Sequence, residues 1–182
     1  SVSKALAIEA PLVLEKFMSL EGIRGRMNRI ARGQPFEVIV DFAHTPDAVT
    51  TALKALRPHE MGRLVAIIGA GGDRDRSKRP LMGQAAAAQA NLVIVTDDNP
   101  RSEDPQAIIN EMKTGLDPVM VKKTLALTDR KEAIKLACTL ANEGDIVLIA
   151  GKGHERYQEV AGVKHPFDDF QIVSETLTLL EK

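Results

Sequence analysis

Three short polar clusters carry the chemistry of this chain: Gly-Gly-Asp-Arg-Asp at 71–75, Asp-Asp-Asn-Pro-Arg at 97–101 and Gly-Lys-Gly-His-Glu at 151–155. Each follows an apolar run that reads as a buried strand. In an open α/β sheet ligands sit at the carboxyl ends of strands, so loops far apart in sequence are expected to meet in one crevice. Arg74 and Arg101 suit a carboxylate or phosphate, whereas Asp98 and Glu155 suit an ammonium. A molecule bearing both kinds of group, such as a free amino acid, is the ligand class this mixture fits.

The elements that must position these clusters alternate along the chain. Phe36 to Phe42 is rich in β-branched residues, and Thr45-Pro46-Asp47 then supplies a cap, a first-turn proline and an acid for a helix to about Leu56. Strands are expected at Leu64 to Ile68, Asn91 to Thr96, Thr124 to Leu127 and Asp145 to Ala150. Helices are expected from about Pro80 to Gln89, from Asp104-Pro105 to near Gly115, and from Asp129, where Glu132 completes a capping-box pattern, through Ala141. Tyr157 to Val160 and Lys164 to Phe167 read as a hairpin about Gly162, before a last helix from Asp168 to Leu180. Apolar strands separated by helices predict an α/β fold: a Rossmann-like, mostly parallel sheet with helices on both faces and a short antiparallel addition near the C-terminus. Residues 3–20 read as one or two helices, with a boundary between Leu20 and Gly25.

Composition narrows the function. The chain has 182 residues, 44% hydrophobic and 27% charged, enough for one well-buried domain. Its net charge of −1, with both signs interspersed, offers no basic face for nucleic acid or an anionic membrane. The single cysteine, Cys138, lies in an apolar run and reads as a core filler in a reducing compartment. No apolar run reaches the length of a membrane span, so the expected location is cytoplasmic. Gly69, Gly71 and Arg74 occupy the places of a G-x-G-x-x-G fingerprint, so its third glycine is missing. Ile146 and Gly153 likewise break a Walker A pattern around Gly151-Lys152. Nothing has metal-ligand spacing, and no serine or cysteine has a triad partner.

Taken in order, Gly25-Arg26-Met27, Asp41 to Ala48 (Asp-Phe-Ala-His-Thr-Pro-Asp-Ala), Gly71 to Asp75 with Lys78-Arg79-Pro80, Asp98 to Arg101 and Gly151 to Glu155 resemble the C-terminal domain of a Mur ligase, most closely a diaminopimelate-adding member. The likeness runs from about Gly22 onward. It implies that residues 1–21 are the tail of a central ATPase domain and residues 22–182 the amino-acid-binding domain. It also implies an ATP-dependent peptide ligase of cell-wall synthesis, in which ATP and Mg2+ activate a carboxylate of a UDP-linked muropeptide. The phosphate loop and the magnesium ligands would lie in the central domain, outside this sequence, so no catalytic residue is expected within it. This domain would hold the incoming amino acid and close over ATP.

By the same resemblance, Asp98, Asn99, Pro100 and Arg101 bind the distal end of meso-diaminopimelate, with the Arg101 guanidinium paired to its second carboxylate. Arg74 reaches the other carboxylate, and Gly151 and Glu155 meet the distal amino group. Arg26, Asp41 and His44 face ATP, and Phe42 stands where tyrosine is common in the family. Plainer readings stand beside these: a local Asp98–Arg101 ion pair, a solvated Glu155, and capping of the Thr45 helix by Asp41 and His44. Lys152 and His154 are assigned no ligand contact. Arg76, Lys78 and Arg79 read either as a basic stretch steering anions or as a solvated helix start. The alternatives to the diaminopimelate ligase are a lysine- or ornithine-adding variant and a non-catalytic Rossmann-like module that binds a nucleotide or protein partner.

Overall fold

The computed structural model describes residues 24–59 and 61–180, so the expected helical tail at 1–21 lies outside the described residues. In chain order the elements are β1 (Asn28–Ile30), β2 (Glu37–Asp41), α1 (Pro46–Leu56), β3 (Leu64–Ala70), α2 (Lys78–Gln89), β4 (Leu92–Asp97), α3 (Pro105–Lys113), α4 (Pro118–Val121), β5 (Thr124–Ala126), α5 (Arg130–Leu140), β6 (Ile146–Ala150), β7 (Tyr157–Val160), β8 (Val163–Pro166) and α6 (Asp169–Leu180). The helices start where their caps dictate. Thr45 accepts a bond from the Ala48 amide ahead of Pro46, Asp104 one from Gln106 ahead of Pro105, and Asp129 one from Glu132. Only half of the expected capping box forms, because the Glu132 carboxylate turns to Lys135 at 2.7 Å.

Six strands form one sheet in the order β1-β2-β6-β3-β4-β5. All pairs from β2 to β5 are parallel. Alternate residues of the central strands feed two separate cores. Ile39, Ala66, Ile68, Val93, Val95 and Leu148 pack under α1, α2 and α3, whereas Val38, Val40, Ile67, Ile94, Val147 and Ile149 pack under α5 and α6. Cys138 is fully buried in the second core. No helix among the described residues is long and apolar enough to cross a membrane.

Two features depart from the expectation. The edge strand β1 pairs antiparallel with β2, and its three residues are too few and too polar to show a pattern. The C-terminal antiparallel addition is a separate two-stranded sheet, β7–β8, not an extension of the large one. Its turn uses positive φ at both Ala161 (49°) and Gly162 (77°), the geometry that matches strand twist. Arg101 docks on this hairpin by main-chain bonds, its N–H to the Glu159 carbonyl at 2.9 Å and its carbonyl to the Ala161 N–H at 2.6 Å.

Beneath the carboxyl ends of the strands lies a buried ion pair that joins the layers. The Arg130 guanidinium donates to both carboxylate oxygens of Asp169, at 2.9 and 2.8 Å, and to the Asp97 and Ala150 carbonyls at 3.2 and 3.0 Å. Neither side chain has any exposure. Removing one partner strands a charge in the interior, so Arg130→Met is expected to cost about 3–5 kcal/mol. Urea unfolding checks this, and a loss below about 1 kcal/mol would show that the pair does not bear on stability.

Candidate active site

The four loops that follow β2, β3, β4 and β6 surround a cleft of about 440 Å3 at the carboxyl edge of the sheet. The chain order places β6 between β2 and β3, so connections leave neighbouring strands toward opposite faces and the loops part to open a crevice there. Six sequence-selected residues, Arg74, Asp98, Asn99, Arg101, Gly151 and Glu155, line it together with His44. Pro100, Arg26 and Asp41 lie outside the lining.

The β4 and β6 loops are tied by a buried lysine. Lys152 has no exposed side-chain surface, and its ammonium lies 2.9 Å from Asn99 Oδ1, 3.3 Å from Glu155 Oε2 and 3.8 Å from Asp98 Oδ1. Asn99 in turn donates to Glu155 Oε2 at 3.0 Å and accepts the Glu159 N–H at 3.0 Å. Burial pushes the Lys152 ammonium down from its ordinary pKa. It pushes the Asp98 carboxyl up, against the opposing pull of Arg130 and Lys152. Asp98 therefore faces Lys152 and not Arg101, which excludes the local ion pair as the reason for the motif.

Arg101 adopts a left-handed backbone, φ 52°, that turns its side chain back over the β3 loop. Its Nη1 donates to the Gly72 carbonyl at 2.7 Å, and its Nε lies 3.5 Å from Glu159. Gly72 permits this approach, since a Cβ there would fall 1.9 Å from the Pro100 carbonyl oxygen. Pro100 thus shapes the site through its backbone. Arg74, on the same loop, is exposed and has no ion-pair partner among the described residues.

In the basic stretch beside Arg74, Arg76 and Arg79 are taken up by ion pairs, whereas Lys78 is exposed and lines the cleft. Arg79 is 1% exposed and pairs with Glu103 and Glu111 at 2.8 Å each, while Arg76 bonds Glu103 at 2.7 Å. Glu103 also accepts the Asp73 N–H, so these ion pairs staple the β3 loop to the segment after Arg101. Arg79 and then Arg76 hold the Glu103 carboxyl far below the usual carboxylate range.

At the far side of the cleft, the Asp41 carboxylate is occupied by the backbone amides of Met27 and Ala43, both at 2.8 Å. It neither caps α1 nor faces open space. His44 also does not cap that helix; its Nδ1 lies 2.7 Å from the Phe42 carbonyl. The exposed side chains of Arg26, His44 and His154 surround the Phe42 ring, at 5.0, 4.5 and 5.0 Å.

Four participants carry no mark of their role in the sequence. Lys152 carries no mark of burial, because lysine is normally exposed. Arg130 and Asp169 are separated by 39 positions and meet only through packing. Asp97, next to Asp98, is 8% exposed, its Oδ1 has no partner among the described residues, and burial followed by the Asp98 charge raises its carboxyl to about 7.

An open α/β domain with a charged crevice at its strand ends is the class these observations define. Residues 25–153 match the domain described as "Mur ligase, glutamate ligase domain", and the chain belongs to the Mur ligase family. It is 53% identical over 173 residues to the UDP-N-acetylmuramoyl-L-alanyl-D-glutamate–2,6-diaminopimelate ligase of Caulobacter vibrioides, covering 93% of this chain and 33% of that one. The enzyme of the same name from Bacteroides fragilis is 48% identical over 169 residues, covering 92% and 35%. The chain thus spans about a third of the length of the curated relatives it matches. A solved structure of a ligase of that name aligns with a TM-score of 0.83 at 45% identity, over 100% of this chain and 37% of the other. Folylpolyglutamate synthase from Thermotoga maritima shares the fold at 20% identity, with a TM-score of 0.57 over 94% and 34%.

Two outcomes follow from the packing of the strand ends. Gly151 has φ 118°, and a Cβ there would lie 2.5 Å from Asp98 Oδ2, so Gly151→Ala is expected to lose about 1–3 kcal/mol, read as a shift in the urea midpoint. An unshifted midpoint would mean that the loop relaxes freely. Asp97 holds its proton more tightly folded than unfolded, so its contribution to stability is present at about pH 4 and is lost as pH rises through about 7. Asp97→Asn should remove that component, leaving the variant relatively more stable at pH 8 than at pH 5 in paired unfolding curves; parallel curves for the two proteins would refute it.

Proposed function

We propose that residues 22–182 form the amino-acid-binding domain of an ATP-dependent ligase, preceded by an ATPase domain whose tail is residues 1–21. The whole enzyme joins meso-diaminopimelate to UDP-MurNAc-L-Ala-D-Glu in the cytoplasm, as a step of peptidoglycan synthesis. The observation that carries this reading is the convergence of Arg74 and Arg101 with Asp98 and Glu155 on one cleft. Such a cleft complements a ligand with two carboxylates and a distal ammonium. The identity of about half with ligases of that name over nine-tenths of the chain supports the same substrate.

ATP gives its terminal phosphoryl group to the muropeptide carboxylate and leaves as ADP; the amine of the amino acid attacks the resulting acyl phosphate, forming the amide as inorganic phosphate departs and the amine loses a proton. The part of this chain is to hold that amine in place and to keep water out. Arg101 receives the second carboxylate of diaminopimelate while its Gly72 bond fixes the plane of the guanidinium. Arg74 receives the other carboxylate. Glu155, with the Gly151 backbone, takes the distal ammonium, because Glu155 Oε1 has no partner among the described residues. Lysine would leave Arg101 facing an empty place, and the uncompensated desolvation disfavours it.

Arg26 and His44, exposed about Phe42, fit an anionic nucleotide in their charge and ring chemistry, and loss of the tyrosine hydroxyl at position 42 leaves the ring in place. Asp41 serves that region by fixing the turns on either side of it. Mg2+ is assigned no ligand in this domain and belongs with the preceding one.

Steady-state ligation by the full-length enzyme tests the reading. Arg101→Ala and Arg101→Lys should each raise the KM for diaminopimelate, by about 10- to 100-fold for alanine and less for lysine, while activity with lysine as substrate changes little. Unchanged selectivity would place recognition elsewhere, and absence of ligation with either amino acid by the unaltered enzyme would favour the non-catalytic module.

A further inference from the structure

The charged group that the ligand assignments leave unused is Lys152, and its setting is unusual. A fully buried ammonium is expensive unless every donor finds an acceptor. Here two acceptors lie within hydrogen-bond distance, Asn99 Oδ1 and Glu155 Oε2, Asp98 Oδ1 stands at ion-pair distance, 3.8 Å, and the Tyr157 and Phe167 rings face it at 5.7 and 5.9 Å. Those groups come from four places: the β4 loop, the β6 loop, the hairpin and the approach to α6. A lysine needed only to fill space would be replaced at lower cost by an apolar side chain. We propose that Lys152 is the positioning residue of the amino-acid pocket, holding the Glu155 carboxylate in orientation and setting the charge of the pocket so that it admits one ligand ammonium.

The orientation follows from the bonds. Lys152 Nζ and Asn99 Nδ2 both donate to Glu155 Oε2, which leaves Oε1 as the oxygen that can serve a ligand. Asn99 is held in the same sense, since its Oδ1 accepts from Lys152 and from the Glu159 N–H, so its amide cannot flip without losing both. The charge follows from the count. With all three ionised, Asp98 and Glu155 contribute two negative charges and Lys152 one positive, so the trio carries a single net negative charge. Without Lys152 the two carboxylates would be left together in a partly buried site, and like charges there favour uptake of a proton. The other groups that face the trio are Asp97 from the end of β4, Arg130 from α5, Asp169 from α6 and the Tyr157 ring from β7.

This inference rests on the ligase reading, and the experiment separates the two. In the full-length enzyme, Lys152→Met should raise the KM for diaminopimelate by about 10- to 100-fold and leave the KM for ATP within about 3-fold. The acid limb of its diaminopimelate KM should move to higher pH. Because Lys152 acts through Glu155, the double variant K152M/E155Q should be no worse than E155Q by more than about 3-fold. Lys152→Arg, which keeps the cation, should recover part of the loss. If Lys152→Met does not fold, Lys152→Gln, neutral but still hydrogen-bonding, is read against Lys152→Arg by the same criteria. An active enzyme with an unchanged diaminopimelate KM, equal losses for ATP and diaminopimelate, or effects that multiply in the double variant would each overturn the role of Lys152 while leaving the ligase reading intact. Failure of the unaltered enzyme to ligate diaminopimelate would overturn the ligase reading, and this inference with it.

Discussion

The constraint on which the site depends is the fate of the last carbonyls of β4 and β6. A parallel strand that ends in a crevice leaves main-chain acceptors with no ladder partner, and buried acceptors must be paired. The Arg130 guanidinium meets this need from below, bonding the Asp97 and Ala150 carbonyls while Asp169 neutralises it. One side chain therefore fixes where two of the site loops begin. Had those strand ends been left to water, the loops would start from frayed points, and side chains such as Asp98 and Glu155 would have no fixed relation.

Above that layer, the domain keeps opposite charges close without letting them all cancel. Glu103 absorbs Arg76 and Arg79, Glu159 partly engages Arg101, and Lys152 is shared among Asn99, Glu155 and Asp98. The charge left over at the cleft is Arg74, with no ion-pair partner among the described residues, the exposed Lys78, the remaining N–H groups of Arg101, and one oxygen of Glu155. Charges in a cleft walled by protein act through a lower dielectric than charges on an open surface. The internal pairs serve as scaffolding, and in the proposed function the unpaired groups form the recognition surface.

Legibility in the chain followed the range of the interaction. Thr45-Pro46, Asp104-Pro105 and Asp129 mark helix starts because a cap bonds an amide two or three positions away, and all three lie where their spacing predicts. The central strands are legible because burial on both faces demands continuous apolar runs. β1 is not, since it forms only by pairing with β2. Arg76 and Arg79 resemble a solvated basic stretch until Glu103, more than twenty positions away, is seen to occupy both.

Local chemistry and residue order thus specified the class of fold, the loops that bear chemistry and the kinds of charge they carry, because each depends on neighbours along the chain. Folding decided which charges are spent and which stay available. Arg74 and Arg79 are five positions apart and equally cationic, yet one is exposed at the cleft and the other lies buried between two glutamates. Lys152 and Lys78 differ in the same way. The energy of a charge is set by its dielectric surroundings and its nearest counter-charge, and both are properties of three-dimensional packing that no spacing of residues encodes.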